Sequence, residues 1–323
     1  MADWSPESLR TLARGFMECR IFLTGAELGL FDELAGEPHT ALELAQRTGA
    51  DLRGLTIVLD ALAAMELLVK EAGRYRADPK AAKLLSSKSP ASVLPIVLHS
   101  AELWTRWSGL TDRVGGVRER SEESRVRTFI GAMNNAASAL AERIAGLVSA
   151  GSARRLLDVG GASGTYTIAF LRQSPELRAT LFDRPEVIPL ARDRLAAEGL
   201  HDRVVLAAGD FHRDALPSGH DLAFVSAIIH SNSPEQNADL FRNIHQSLVP
   251  GGRIVVRDIV LSQDRIAPKA GAVMAINWLL VSAAGNSYTF GEIREGLEEA
   301  GFARVRLIHP DSQMDGLVEA FKP

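Results

Sequence analysis

The sequence predicts an α/β protein: a doubly wound, Rossmann-like domain preceded by a mostly helical winged-helix domain. Three observations predict it. Up to about Arg113, apolar residues recur at three- and four-residue spacing and strand signals are scarce, which reads as helix after helix. After Gly151 and Ser152 the rhythm changes to short Val/Ile/Leu-rich runs, RRLLDV, ATLFD, VVLAAGD, DLAFVSAII and GRIVVRDIV, separated by helix-length amphipathic segments. Near-continuous apolar strands alternating with helices imply a parallel sheet covered on both faces. The glycine-rich stretch GGASG joins the first of these strands directly to a helix.

The elements follow in order. A helix runs through Ala26 and Leu30. Thr40 opens ALELAQRTG, with Glu43 at the spacing of a capping box and Gly49 where the helix should stop. Asp51 opens LRGLTIVLDALAAMELL, and LVKEAGRYRA has the look of a hairpin wing. Ser121 to Ser149 has a helical pattern that would connect the two halves. The expected division is therefore residues 1–113, linker helices over 114–150, and the doubly wound domain over 151–323.

With 323 residues, 46% hydrophobic and 24% charged, the chain has ample material for a buried core. A net charge of -4 offers no general attraction to nucleic acid or to an anionic membrane. A winged helix invites a transcriptional-regulator reading, but the first 150 residues carry 18 Lys and Arg against 19 Asp and Glu. The helix that would enter a groove holds two aspartates and a glutamate against one arginine, so burial at a subunit interface is expected instead. The longest apolar stretch, around Val273 to Ala284, is shorter than the roughly 20 residues that span a bilayer. The opening MADWSPESLR lacks the pattern of a secretory signal, and a single cysteine, Cys19, cannot form an internal disulfide. Cytoplasm is the expected compartment, and Cys19 is expected to be a small buried hydrophobe. The histidines other than His230 show no metal-ligand spacing, and HRDALPSGH reads as a solvated loop with two of them.

The segment Arg155 to Leu171 carries the most information. Glycine-rich turns of this kind bring backbone close to a ligand at a helix N-terminus. The register fails for a dinucleotide fingerprint, because Ala162 and Thr165 occupy the second and third glycine positions read from Gly160. No Lys-Ser/Thr follows, so it is not a P-loop. Asp158, Gly160, Gly161 and Gly164 instead resemble the glycine-rich motif of S-adenosylmethionine-dependent methyltransferases. Asp183, ending the second strand, lies where a carboxylate can accept from both hydroxyls of a ribose. Gly209 and Asp210 follow the third strand, where the carboxylate can receive an adenine amino group and Phe211 an apolar ring face.

With these residues in hand, nearly the whole chain resembles the small-molecule O-methyltransferases that include plant caffeate, hydroxyindole and bacterial polyketide-tailoring enzymes. The segments LLDVGGASGTY, FDRPEVI, DRVVLAAGDF, AIIH, SLVPGGRIVVRDIVL and TFGEIREGLEEAGF carry the resemblance, in the family's order. It implies an N-terminal dimerisation domain, hence a homodimer, and an antiparallel hairpin edge formed by ARVRLIHP and GLVEAFKP. It implies S-adenosylmethionine as cofactor, Ser226 among its contacts, and no metal. It implies His230 as general base, with Asp258 as its orienting carboxylate. A neutral imidazole, of ordinary pKa about 6.5, can take the proton of a phenol, of pKa about 10, as the methyl is transferred. The family's second acidic partner maps near Ser287 and is not retained, and Ala162 replaces a usual glycine.

The acceptor expected is a small aromatic or polyketide-like molecule. Trp107, Phe129, Met133, Asn134, Asn277 and Tyr288 are the candidate contacts, since rings and methionine suit a flat apolar acceptor and Asn can orient a hydroxyl or carbonyl. Trp104 and Trp107 also form a helical stripe that would equally suit core or interface. Related folds methylate carbon or nitrogen, or use the sulfonium without methyl transfer, and these are the alternatives to O-methylation.

Overall fold

The computed structural model describes residues 4–116, 121–310 and 314–323; within 122–148 the side chains of 122, 123, 126, 127, 129, 133–136 and 139 lie outside that description. The chain forms two compact units, Met1–Glu119 with Asp264–Val281, and Arg120–Gln263 with Ser282–Pro323.

The first unit opens with α1 (Pro6–Arg14), α2 (Phe16–Glu27) and α3 (Leu30–Glu33), followed by β1 (His39–Thr40) and α4 (Ala41–Thr48). The Thr40 hydroxyl accepts from the Glu43 amide at 3.2 Å while the Glu43 carboxylate accepts from the Thr40 amide at 2.7 Å, closing the expected capping box. Gly49 ends α4 at φ 71°. Asp51 caps α5 (Leu52–Ala64), and β2 (Leu68–Glu71) and β3 (Arg74–Ala77) form the antiparallel wing, to which β1 adds a third strand. Then come α6 (Pro79–Leu85), α7 (Leu94–Ser108) and α8 (Leu110–Val114). Leu30, Phe31, Leu44, Leu59, Leu62 and Tyr75 centre the core. Cys19, expected inside, is exposed. Helix α2 turns Ile21, Leu23, Gly25 and Ala26 inward. Leu23 and Ala26 share the helical face of Cys19 and are buried, but Cys19 lies in the first turn of α2, next in the chain to α1, none of whose residues is buried.

The second unit contains α9 (Glu122–Val148), β4 (Arg155–Val159), α10 (Thr165–Gln173), β5 (Arg178–Asp183), α11 (Ile188–Ala197), β6 (Val204–Ala208) and β7 (His220–Ser226). It continues through α12 (Pro234–Ser247), β8 (Leu248–Asp258) and β9 (Val260–Leu261). The chain then returns to the first unit as α13 (Lys269–Val281), whose Val273 joins that core and whose Lys269 pairs with Glu18 at 3.0 Å. Finally β10 (Tyr288–Thr289), α14 (Phe290–Glu299), β11 (Ala303–His309) and β12 (Gly316–Phe321) complete the second unit.

Its sheet has the order β11-β12-β8-β7-β4-β5-β6, parallel from β6 to β8 with β11 and β12 antiparallel at the edge. Alternation along each strand feeds two cores. Leu157, Val159, Ala223, Val225 and Val256 pack with α12 and α14, while Leu156, Leu222, Phe224 and Val255 pack with α9 and α10. Ala141, Ile144 and Val148 bind the second half of α9 into this unit. His220, expected in a solvated loop, is buried at the start of β7 with Nε2 2.9 Å from the Thr180 hydroxyl. His212 is exposed. No helix among the described residues is long and apolar enough to cross a membrane.

Candidate active site

The strand order reverses between β4 and β7, and in open α/β sheets the crevice beyond the carboxyl ends at such a point receives ligands. The glycine turn lies there. Gly160 has φ 70°, and a Cβ on it would come within 2.5 Å of Ile228 Cδ1. A Cβ on Gly161 would lie 2.7 Å from Leu181 Cγ, so packing beneath the turn already excludes side chains at both positions. Ala162 takes a left-handed conformation at φ 49°, and its amide donates to Asp183 Oδ2 at 2.7 Å. Gly164 caps α10. Arg194 on α11, which sequence reasoning missed, donates to the hydroxyls of Ser163 at 2.9 Å and Thr165 at 2.7 Å, tying the turn to the neighbouring helix.

Two carboxylates support the turn. Asp158 is buried and accepts from the Thr167 hydroxyl at 2.5 Å. Burial, with the charge of Asp183, pushes its pKa up to about 6 despite that bond. Asp183 accepts from the Arg184 and Ala162 amides, each at 2.7 Å; burial raises its pKa and these amides oppose the rise. Each oxygen of Asp183 has a second acceptor lobe, so the group can hold the turn and still receive ligand hydroxyls.

The remaining cofactor candidates end the adjacent strands. The Gly209 amide donates to the Asp183 carbonyl at 3.0 Å. Asp210 accepts from the His212 amide at 3.0 Å, and Phe211 is half-buried beside it. Ser226 ends β7, and its hydroxyl lies 3.4 Å from Arg257 Nη1. All these residues therefore share one end of one sheet. A glycine turn at a helix N-terminus, flanked by an acceptor carboxylate, fits a nucleoside carrying a sulfonium and an amino-acid tail.

His230 follows β7 in a single 3₁₀ turn, Ile229–Ser231. It is 6% exposed, and its Nδ1 lies 2.8 and 3.1 Å from the two oxygens of Asp258, at the end of β8. Asp258 is buried too and also accepts from the Ile259 amide at 2.8 Å. Asn237 Nδ2 donates to the Ile229 carbonyl and Asn232 Nδ2 to Asn237 Oδ1, both at 3.0 Å. The Tyr288 hydroxyl donates to the Asn232 carbonyl at 2.5 Å, and the Asn286 amide to the His230 carbonyl at 2.9 Å. This buried scaffold was missed from sequence, where no motif marks Asn232 or Asn237. Parallel pairing of β10 with β9, Tyr288 opposite Val260, sets the wholly buried Ser287 beside Ile259.

The acceptor candidates are distributed. Tyr288 is buried in the second unit with its hydroxyl committed to the histidine loop. In the first unit, Trp107 is 71% exposed on α7 and Asn277 is half-buried on α13. The side chains of Phe129, Met133 and Asn134 lie outside the described residues.

Fold and site together define a doubly wound, cofactor-dependent transferase. An O-methyltransferase domain profile matches residues 97–303 and an O-methyltransferase dimerisation domain profile matches 11–87. The chain is 32% identical to a 3-hydroxy-5-methyl-1-naphthoate 3-O-methyltransferase of Streptomyces sahachiroi, over 94% of this chain and 91% of that protein. It is 33% identical to the tetracenomycin polyketide synthesis 8-O-methyl transferase of Streptomyces glaucescens, over 93% and 92%. An O-methyltransferase family 2 protein of Planctomyces limnophilus, solved in complex with apigenin, superposes with TM-score 0.85 at 27% identity, covering 100% of this chain and 98% of that one. The chain belongs to the S-adenosylmethionine-dependent O-methyltransferase family. It is an enzyme of that family, and S-adenosylmethionine is its cofactor.

Proposed function

We propose that this enzyme methylates a hydroxyl of a flat aromatic or polyketide-like acceptor, with His230 as general base and Asp258 holding it in place. The buried contact between His230 Nδ1 and the Asp258 carboxylate carries the reading. The naphthoate and tetracenomycin enzymes among its relatives support the acceptor class. When bound, S-adenosylmethionine supplies a methyl group already activated on a sulfonium. The chain then has to position the acceptor, take its proton and exclude water. With Nδ1–H directed at Asp258, the acceptor proton goes to Nε2, and the carboxylate steadies the imidazolium that forms.

On the cofactor side, the backbone at Gly160, Gly161 and Gly164 faces the bound molecule, Asp183 receives the ribose hydroxyls, Asp210 the adenine amino group, and Phe211 the ring face. Gly209 and Ser226 border the same crevice, and Asp158 acts from beneath through Thr167. Trp107, Phe129, Met133, Asn134 and Asn277 serve the acceptor, while Tyr288 acts on the histidine loop. The first 113 residues serve homodimerisation, a role supported by the dimerisation profile, and residues 151–323 carry the chemistry. The enzyme works in the cytoplasm, a reading supported by its single cysteine.

The test is His230→Ala. Turnover of a hydroxylated aromatic acceptor is expected to fall about 10²- to 10⁴-fold, with S-adenosylhomocysteine affinity by calorimetry within about twofold of wild type. Unchanged turnover removes the base. Fragmentation mass spectrometry that places the added methyl on carbon or nitrogen removes O-methylation.

A further inference from the structure

Opposite Asp258 on β8, one residue earlier in the chain, Arg257 points to the other face of the sheet. It is 6% exposed, and among the described residues no carboxylate lies within ion-pair distance of it. Its Nη1 is 3.4 Å from the Ser226 hydroxyl, its guanidinium lies 5.6 Å from the centre of the Tyr166 ring, and its Nε is buried with no acceptor. The Tyr166 hydroxyl is buried too, beside the Ser226 hydroxyl. Half-buried arginines in this unit are satisfied: Arg253 pairs with Glu319, and Arg203 donates to the carbonyls of Ser174 and Leu177.

A buried guanidinium without a counter-ion, with its Nε unsatisfied, is strongly disfavoured. Arg257 lies where Ser226 stands opposite it in register and beside Tyr166, the second residue of α10, directly after the glycine turn. A bound anion would supply the counter-charge and accept from Nε. We propose that Arg257, assisted by Tyr166, binds a carboxylate, namely that of the amino-acid end of S-adenosylmethionine. The inference rests on the cofactor lying over the glycine turn. The guanidinium edge at Nε offers the paired donors that match a carboxylate, and the Tyr166 hydroxyl adds a third. The N-terminal turn of α10 favours negative charge in the same place.

The experiment is calorimetric titration of the full-length protein with S-adenosylmethionine and with its decarboxylated counterpart, which keeps the sulfonium and nucleoside. Wild type is expected to prefer the carboxylated form by about tenfold or more, the scale of a buried charge-assisted pair. Arg257→Met is expected to abolish that preference while binding the decarboxylated form within about twofold of wild type, and Tyr166→Phe to reduce it severalfold. Equal affinity of wild type for the two compounds overturns the proposal without recourse to any variant. So does an Arg257→Met protein that loses both compounds equally. A carboxylate on the acceptor is the other source of the same chemistry. If Arg257→Met leaves the cofactor preference intact but selectively weakens binding of 1-naphthoate relative to naphthalene-type phenols lacking the acid, the cofactor assignment is overturned in favour of the acceptor. Methylthioadenosine, which lacks the amino-acid tail, tests the nucleoside half alone: if wild type binds neither it nor the two sulfonium compounds, the placement of the cofactor over the turn fails, and this assignment with it.

Discussion

Asp158 shows how one residue couples the cofactor turn to stability. Its pKa stands at about 6 in the fold against an ordinary 3.8, chiefly because burial disfavours the anion. Between those pH values the folded chain keeps a proton that the unfolded chain has lost. This group's contribution is therefore most favourable below about pH 4, declines as pH rises through about 6, and is level beyond. Asp158→Asn keeps an oxygen for the Thr167 hydroxyl and removes the charge. Relative to wild type it is expected to gain about 2 kcal/mol of stability between pH 4.5 and pH 7.5, measured by urea unfolding of the ligand-free protein. Parallel pH profiles for the two proteins would show that Asp158 does not titrate in that window. Asp183, with two backbone amides as donors, is pushed up by the same burial but is opposed by both.

At the scale of elements, the loop after β7 is the part most closely tied to chemistry. Its carbonyls at Ile229, His230 and Asn232 are received by Asn237 from α12, Asn286 and Tyr288 from the segment entering β10. Three donors from two separate elements thus fix a histidine that sits on a single 3₁₀ turn. Tyr288→Phe deletes one of those donors and leaves a buried carbonyl unsatisfied. We expect a loss of about 1–3 kcal/mol in thermal stability and a several-fold lower kcat with cofactor affinity unchanged. A variant with wild-type kcat would show that the tyrosine only packs. Helix α5 illustrates the opposite outcome for a suggestive element. It occupies the groove-reading position of a winged helix, yet Leu55 and the run from Ile57 to Ala63 are buried, so its surface is spent on the core.

For the whole molecule, the distribution of exposed apolar side chains is uneven. Of the nineteen large hydrophobic side chains exposed among the described residues, fifteen belong to the first unit, including Leu9, Leu12, Phe16, Trp107 and Val114. Helix α1 buries none of its residues although Leu9 and Leu12 share one face. A second copy of this chain is the occupant that the dimerisation profile points to. Multi-angle light scattering is expected to give twice the 34.9 kDa chain mass, and Leu9→Glu with Leu12→Glu to shift it toward the monomer. A wild-type monomer at micromolar concentration would refute homodimerisation.

The sequence by itself determined the alternation of strands and helices, the caps at Thr40 and Asp51 and the glycine turn, because each is written in local periodicity or in a contiguous motif; the pairing of His230 with Asp258, distant in the chain, was legible only through the family resemblance. The turn's chemistry needed only neighbours along the chain. Tertiary structure alone decided the return of α13 to the first unit, the exposure of Cys19, the burial of His220 and the Asn232–Asn237–Tyr288 scaffold. It also decided that Arg257 is a buried cation. A basic residue beside an acidic one in VVRDIV reads as an ion pair or a solvated edge, but alternation along β8 sends Asp258 to the histidine and Arg257 to the opposite face. Which face is dry, and what waits on it, depends on residues brought together from β7 and α10, and no local pattern encodes that meeting.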